Sequence, residues 1–368
     1  MLYYLHQLKG VIPVLGLFQS SVFRAAMAAM TGFLISVFFG RWFIRFLHRH
    51  RALERTEKGD SERLVEIHRE KRNTPTMGGI ILLAAWIGAT LLWAHPRHRF
   101  TWLLILFTLG LGALGFIDDY IKLTHAQKKG LSARGKFLGQ VLLGAAAGWF
   151  LYSFPLIPGE ANESVSTAIF LPFYKDLYIP LGVFFILLVI LVTAGSSNAV
   201  NITDGLDGLA IGCAVMVGVT FAIIGFPVGD KPMSEYFFIP HVPGAVEAAV
   251  FAAALVGSGL GFLWFNCHPA QIFMGDTGAL PLGGALGLLA VITKQELLLF
   301  LVGGVFVAEA LSVILQVASY KLRGKRIFLI APLHHHYQFK GWAESKVTVR
   351  FWIISAILSL FSLVTLKI

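Results

Sequence analysis

Long apolar windows, separated by short polar or glycine-rich breaks, repeat along almost the whole chain. A helix rises 1.5 Å per residue, so crossing about 30 Å of hydrocarbon takes about 20 predominantly apolar residues. Ten windows of roughly that length lie near 23–47, 76–94, 100–117, 136–154, 178–194, 199–225, 245–265, 278–293, 296–318 and 351–367. The pattern predicts an all-α, polytopic membrane protein with about ten transmembrane helices. Window 278–293 is short for a span, and 199–225 opens on polar residues. No loop is large enough for a separate soluble domain, so residues 1–368 are read as one integral membrane domain, with a short charged helix expected ahead of Pro75.

Composition agrees with the pattern. Of 368 residues, 56% are apolar and only 14% charged, and the mean hydropathy is +0.73, which excludes an ordinary water-soluble globule. The opening "MLYYLHQLKG" lacks the basic start, apolar core and small-residue cleavage site of a secretory signal. Cys213 falls inside a window and Cys267 at a helix end, with no CxxC spacing, so both are expected as free thiols.

Charge orients the windows. Loops 48–75, 118–136 and 319–350 hold 20 lysines and arginines, against 5 in loops 95–99, 154–177, 226–244 and 294–295. The basic set belongs in the cytoplasm, which places both termini on the periplasmic side. The net charge of +10 is then concentrated on a cytoplasmic face, where it attracts anionic headgroups and substrates. No nucleic-acid partner is expected, because the basic residues alternate with spans and form no reading element.

Polar residues beside spans are costly and therefore informative. In "GFIDDY", Asp118 and Asp119 close a window, where adjacent carboxylates at a fraying helix end face different ways; Asp119 also has Lys122 to balance it. In "NAVNITDGLDGLAIG", Asn201, Asp204 and Asp207 are three apart and are expected on one helical face, while Gly205 and Gly208 leave room for a ligand or a close helix. Capping accounts for Asn201 or Asp204 alone but not for all three. In "WFNCHPAQIFMGDTGALPLGG", Asp276 opens a span, Asn266 either binds substrate or caps the preceding helix, and Phe273 is either an interfacial ring or a base-stacking one. In "APLHHHYQFKGWAESKV", His334, His335 and His336 lack the spacing and glutamate of an HExxH zinc site and suit phosphate pairing or acid–base work. Oxygen donors of this kind fit Mg2+, with Mn2+ as substitute, while Lys71, Lys122 and Lys136 neutralise phosphate. The chemistry implied is a soluble diphosphate meeting a membrane lipid.

The segments "KRNTPTMGG", "GFIDDY", "NAVNITDGLDGLA", "FMGDTGALPLGG" and "PLHHHYQFKGWAE" together resemble the signatures of the bacterial phospho-N-acetylmuramoyl-pentapeptide transferases, within the polyprenyl-phosphate hexosamine-1-phosphate transferase superfamily. The resemblance implies ten transmembrane helices in the bacterial inner membrane, a homodimer, and an active site on the cytoplasmic face. It also implies transfer of phospho-MurNAc-pentapeptide from UDP-MurNAc-pentapeptide to undecaprenyl phosphate, giving UMP and lipid I for peptidoglycan synthesis. Carried over by position, Asp276 resembles the magnesium ligand, Asp118 and Asp119 the essential aspartate pair, and His335 the centre of the histidine motif. Asn201, Asp204, Asp207, Asn266 and Phe273 match positions tied to nucleotide, diphosphate or site organisation, and Lys71 and Lys136 match basic residues of the cleft. Two other readings stand beside this one. A sister enzyme would transfer GlcNAc-1-phosphate to the same lipid, although "HHHYQFKGW" resembles the muramoyl branch. A secondary transporter would carry its acids near the midplane, whereas these gather at helix ends.

Overall fold

The computed structural model describes residues 1–49, 74–124, 130–157, 163–172 and 174–366, without the side chains of 163, 164 and 174–176. The charged helix expected ahead of Pro75 lies outside the described residues. Ten helices of 15 residues or more are described: α1 Ser21–Arg49, α2 Gly79–Trp93, α3 Arg99–Thr124, α4 Ala133–Ser153, α5 Phe184–Thr203, α6 Leu209–Gly229, α7 Ala245–Asn266, α8 Asp276–Ile292, α9 Gly304–Arg323 and α10 Glu344–Val364. Seven of them, all but α2, α4 and α8, are long and apolar enough to cross a membrane. Helices α2 and α8 are apolar but shorter, and α4 begins on the polar run "ARGKFLGQ".

The chain is mostly helical, as the pattern predicts, with one addition and one break that the windows do not show. Strands β1 Ala168–Leu171 and β2 Tyr174–Pro180 form an antiparallel hairpin in which Ile169 faces Ile179 and Phe170 faces Tyr178. The aromatic and β-branched residues there favour a pleated pair over a helix. The break falls in window 199–225, which is not one helix. Helix α5 runs through Asn201 to Thr203, the chain turns over 204–208, and α6 starts at Leu209. Asn201 therefore does not share a helical face with Asp204 and Asp207. In "TDGLDG" the glycines and aspartates are turn formers, and Gly208 takes φ +72°, which a continuing right-handed helix cannot accommodate.

Helices α7 and α8 form the centre. All 17 residues of α8 are buried, between α3 and α5, as a helix apolar on every side requires. Helix α7 packs on α1, α2 and α6. A buried two-pronged pair, Arg24 Nη1 and Nη2 at 2.8 and 2.7 Å from Glu247, ties α1 to α7. The far end of α8 is closed by Gln295 N–H donating to Ala290 O at 2.8 Å. There the buried Lys294 ammonium lies 3.3 Å from both Ser166 O and Glu296 Oε1. Helix α8 is thus held at both sides and one end, and its opposite end begins with Asp276.

Candidate active site

Three backbones close around Asp276. The strand-like segment before it is paired with residues 75–79: Phe273 N–H donates to Pro75 O at 2.8 Å, Gly78 N–H to Phe273 O at 2.8 Å, and Gly79 N–H to Met274 O at 2.9 Å. A Cβ on Gly79 would strike the backbone of Gly278, and one on Gly115 would strike Asp276 O. Glycine at these two positions is what lets α2 and α3 approach the start of α8.

The aspartate pair lies within α3, which continues to Thr124, and not at a fraying end as the sequence suggested. Consecutive helical residues point about 100° apart, and the two carboxylates do different things. Asp119 accepts hydrogen bonds from Thr277 N–H at 2.9 Å, Thr277 Oγ1–H at 2.7 Å and Asp276 N–H at 3.3 Å. It therefore supplies from another helix the N-terminal cap that Gly275 cannot provide to α8. Asp118 faces the other way and accepts from Leu131 N–H at 2.6 Å.

Two lysines join Asp118 to Asp276. Lys122 Nζ lies 2.6 Å from Oδ2 of both carboxylates, and Lys136 Nζ lies 3.2 Å from Asp118 and 2.7 Å from Asp276. Asn201 donates its amide to the other oxygen of Asp276. Three buried carboxylates, with ligand oxygens within 4.8 Å of one another, thus outnumber two ammonium groups.

This donor set fits a magnesium ion. All the ligating atoms are hard carboxylate oxygens, and the position between Asp118 and Asp276 is one that calls for a cation, here met by the ammonium of Lys122, whose side chain is 43% exposed. Asp119, with both oxygens engaged by the start of α8, serves as an organiser of Asp276.

Around turn 204–208, Asp204, Asp207, Asn266 and His334 form a second group, while Phe273, His335 and His336 are held by other contacts. Asp204 caps the end of α5. Asp207 is buried; its Oδ2 accepts from Ala270 N–H at 3.1 Å and lies 3.1 Å from His268 Nδ1. Asn266 accepts from Gly208 N–H at 3.1 Å and donates to Ile272 O at 2.8 Å, so it links the turn to the loop leading to Asp276. Phe273 is half-buried, with its backbone paired as above. His334 is fully buried; its N–H donates to Glu309 Oε1, its Nδ1 lies 3.1 Å from Glu309 Oε2, and its ring fills the space that a side chain on Gly205 would need. His335 Nδ1 lies 2.8 Å from Gln338 Oε1. His336 accepts from Leu329 N–H at 3.1 Å, and partial desolvation, with Lys340 nearby, holds its imidazole below the ordinary value. Lys71 lies outside the described residues.

Sequence reading passed over several members. Thr277 completes the Asp119 cap, and buried Gln140 spans Ser197 and Asn198. Glu309 is an acid alone in the apolar run "GVFVAEALSVILQ", and that isolation was the available signal.

Residues 101–294 match the family model described as "Glycosyl transferase family 4", and residues 71–83 match "Phospho-N-acetylmuramoyl-pentapeptide-transferase signature 1". Two curated relatives, from Citrifermentans bemidjiense and from Geobacter sp. (strain M21), bear the name phospho-N-acetylmuramoyl-pentapeptide-transferase. Each is 49% identical over 370 residues, covering 100% of this chain and 99% of the relative.

Proposed function

Because the chain belongs to glycosyl transferase family 4, in the branch of the phospho-N-acetylmuramoyl-pentapeptide transferases, we propose that it transfers phospho-MurNAc-pentapeptide from its UDP carrier to undecaprenyl phosphate. The products are lipid I and UMP. The observation that carries this reading into chemistry is the convergence of Asp118, Asp119 and Asp276 with Lys122 and Lys136.

An acceptor phosphate oxygen attacks the sugar-linked phosphorus, one phosphoanhydride bond forms, and the bond to the UMP oxygen breaks. A phosphate monoester has its second pKa near about 6, so the acceptor is largely ionised at neutral pH and needs positioning more than deprotonation. Lys122 and Lys136 offset negative charge on the phosphates as it shifts toward the departing UMP. Asp118 holds the acceptor or takes its remaining proton, and Asp119 fixes Asp276 by capping α8. A magnesium ion held by Asp276, with Asp118 within reach, would polarise the diphosphate oxygens.

Ten spans with both termini periplasmic, in the bacterial inner membrane, complete the proposal. They put the acid–lysine cluster at the cytoplasmic face, in keeping with the bias of basic residues toward loops 48–75, 118–136 and 319–350. Single cysteines placed in those loops are expected to react in intact cells only with permeant reagents, and one in loop 226–244 with impermeant ones. Labelling of loop 118–136 from outside would refute the orientation.

Substrate choice is tested by incubating the purified protein with undecaprenyl phosphate, magnesium and either UDP-MurNAc-pentapeptide or UDP-GlcNAc. Product is expected only from the first. Turnover of UDP-GlcNAc alone would move the chain to the sister reaction.

A further inference from the structure

Turn 204–208 is clamped by a helix that contributes none of the cluster's carboxylates or lysines. Asp207 N–H donates to Glu344 Oε1 at 2.8 Å, Asp207 O accepts from Thr348 Oγ1 at 3.3 Å, and Gly208 O accepts from Trp352 Nε1 at 3.1 Å. Asn266 takes the remaining donor, Gly208 N–H, at 3.1 Å. Residues 344, 348 and 352 are four apart and form one stripe along α10. On its other side α10 exposes Ile353, Ile357, Leu360 and Phe361, the surface expected to face lipid. The stripe toward the turn is instead polar at three successive turns and ends in an indole. A Cβ on Gly212 would collide with that indole, and Gly208, at φ +72°, presents its carbonyl to it.

We infer that Glu344, Thr348 and Trp352 are positioning residues that set the affinity for the nucleotide end of the UDP-linked substrate, acting through the backbone of turn 204–208. The inference rests on the proposed function together with the family resemblance, which ties Asp204 and Asp207 of this turn to nucleotide, diphosphate or site organisation. Gly208 O also accepts from Gly212 N–H at 3.0 Å, so loss of the Trp352 donor leaves it one partner of two, and the turn relaxes toward the partners that remain. Asp207 moves with it, losing its register against Ala270 N–H and His268. The acids and lysines beside the reacting phosphates hang from α3, α4 and α8 and stay in place. Such a change weakens ground state and transition state alike, raising KM while sparing kcat.

The experiment uses the full-length protein in detergent or nanodiscs. Trp352→Phe keeps a ring in the hollow and removes the N–H donor; Thr348→Val removes the hydroxyl at similar volume, and Thr348→Ser retains it. UMP serves as the binding probe. In Trp352→Phe and Thr348→Val, KM for UDP-MurNAc-pentapeptide and Kd for UMP are expected to rise roughly tenfold. The kcat and the KM for undecaprenyl phosphate are expected to stay within about twofold, and Thr348→Ser to behave as wild type. Unchanged UMP affinity in both variants would overturn the inference, as would a stability loss that Thr348→Ser repairs with no shift in UMP affinity. Wild-type protein that binds no UMP would sink the nucleotide reading and this inference with it, an outcome visible before any variant is made.

Discussion

Asp276→Asn is expected to lower kcat by about a thousandfold and to abolish tight binding of Mn2+, followed by its electron paramagnetic resonance signal, in the same protein. Asparagine keeps the shape of the side chain, so the start of α8 and the cap from Asp119 should survive. What is lost is charge. Asp276 holds Lys122 and Lys136 at 2.6 and 2.7 Å and takes the Asn201 amide on its other oxygen. Neutralising it leaves two lysines with one fewer counter-charge and removes the anionic donor best placed for a divalent ion. EDTA should likewise abolish wild-type turnover, and added magnesium restore it. Full Mn2+ binding by the variant, or full wild-type activity in EDTA, would remove the metal assignment.

Asp118→Asn is expected to reduce kcat by about two to three orders of magnitude while UDP-substrate affinity stays near wild type and magnesium affinity falls less than in Asp119→Asn, because Asp276 stays in place to hold the ion. The reason is that a group acting on the acceptor in the transition state is lost without an equal loss of ground-state binding. If its main contribution is removal of the last acceptor proton, raising the pH through the phosphate pKa near about 6 should recover part of the rate, because the acceptor then ionises unaided. Asp119→Asn should behave differently. Its amide cannot accept from three donors at the start of α8, so Asp276 shifts and metal affinity falls together with kcat. Steady-state kinetics from pH 5.5 to 8.5, roughly spanning that pKa, with magnesium titrations, separate the two residues. Identical behaviour of both variants would refute the division of labour.

The acidic and histidine motifs were legible because a charge beside an apolar span is expensive and therefore conspicuous. Their grouping was not. The capping of α8 by Asp119 joins residues 158 positions apart, a relation that no local pattern contains. The period of three in Asn201, Asp204 and Asp207 imitated a helix, yet Gly205 and Gly208 made a turn, and that turn separates Asn201, beside Asp276, from Asp207, beside His268. The hairpin at 168–180 was hidden because its aromatic and aliphatic residues also read as the approach to a span. Thr348 and Trp352 looked like ordinary members of the last window. Only the packing of α10 on α6 gave their polar atoms a purpose.

The central claim is that the acceptor phosphate attacks the UDP-linked phosphate directly within the acid–lysine cluster. The most direct measurement is rapid quench of enzyme mixed with radiolabelled UDP-MurNAc-pentapeptide and magnesium in the absence of undecaprenyl phosphate. Direct attack predicts no UMP above background until the lipid is added, then release in step with lipid I. A stoichiometric burst of UMP without the lipid, together with phosphorylated Asp118 in the intact protein, would contradict the account and establish a two-step route through a covalent intermediate.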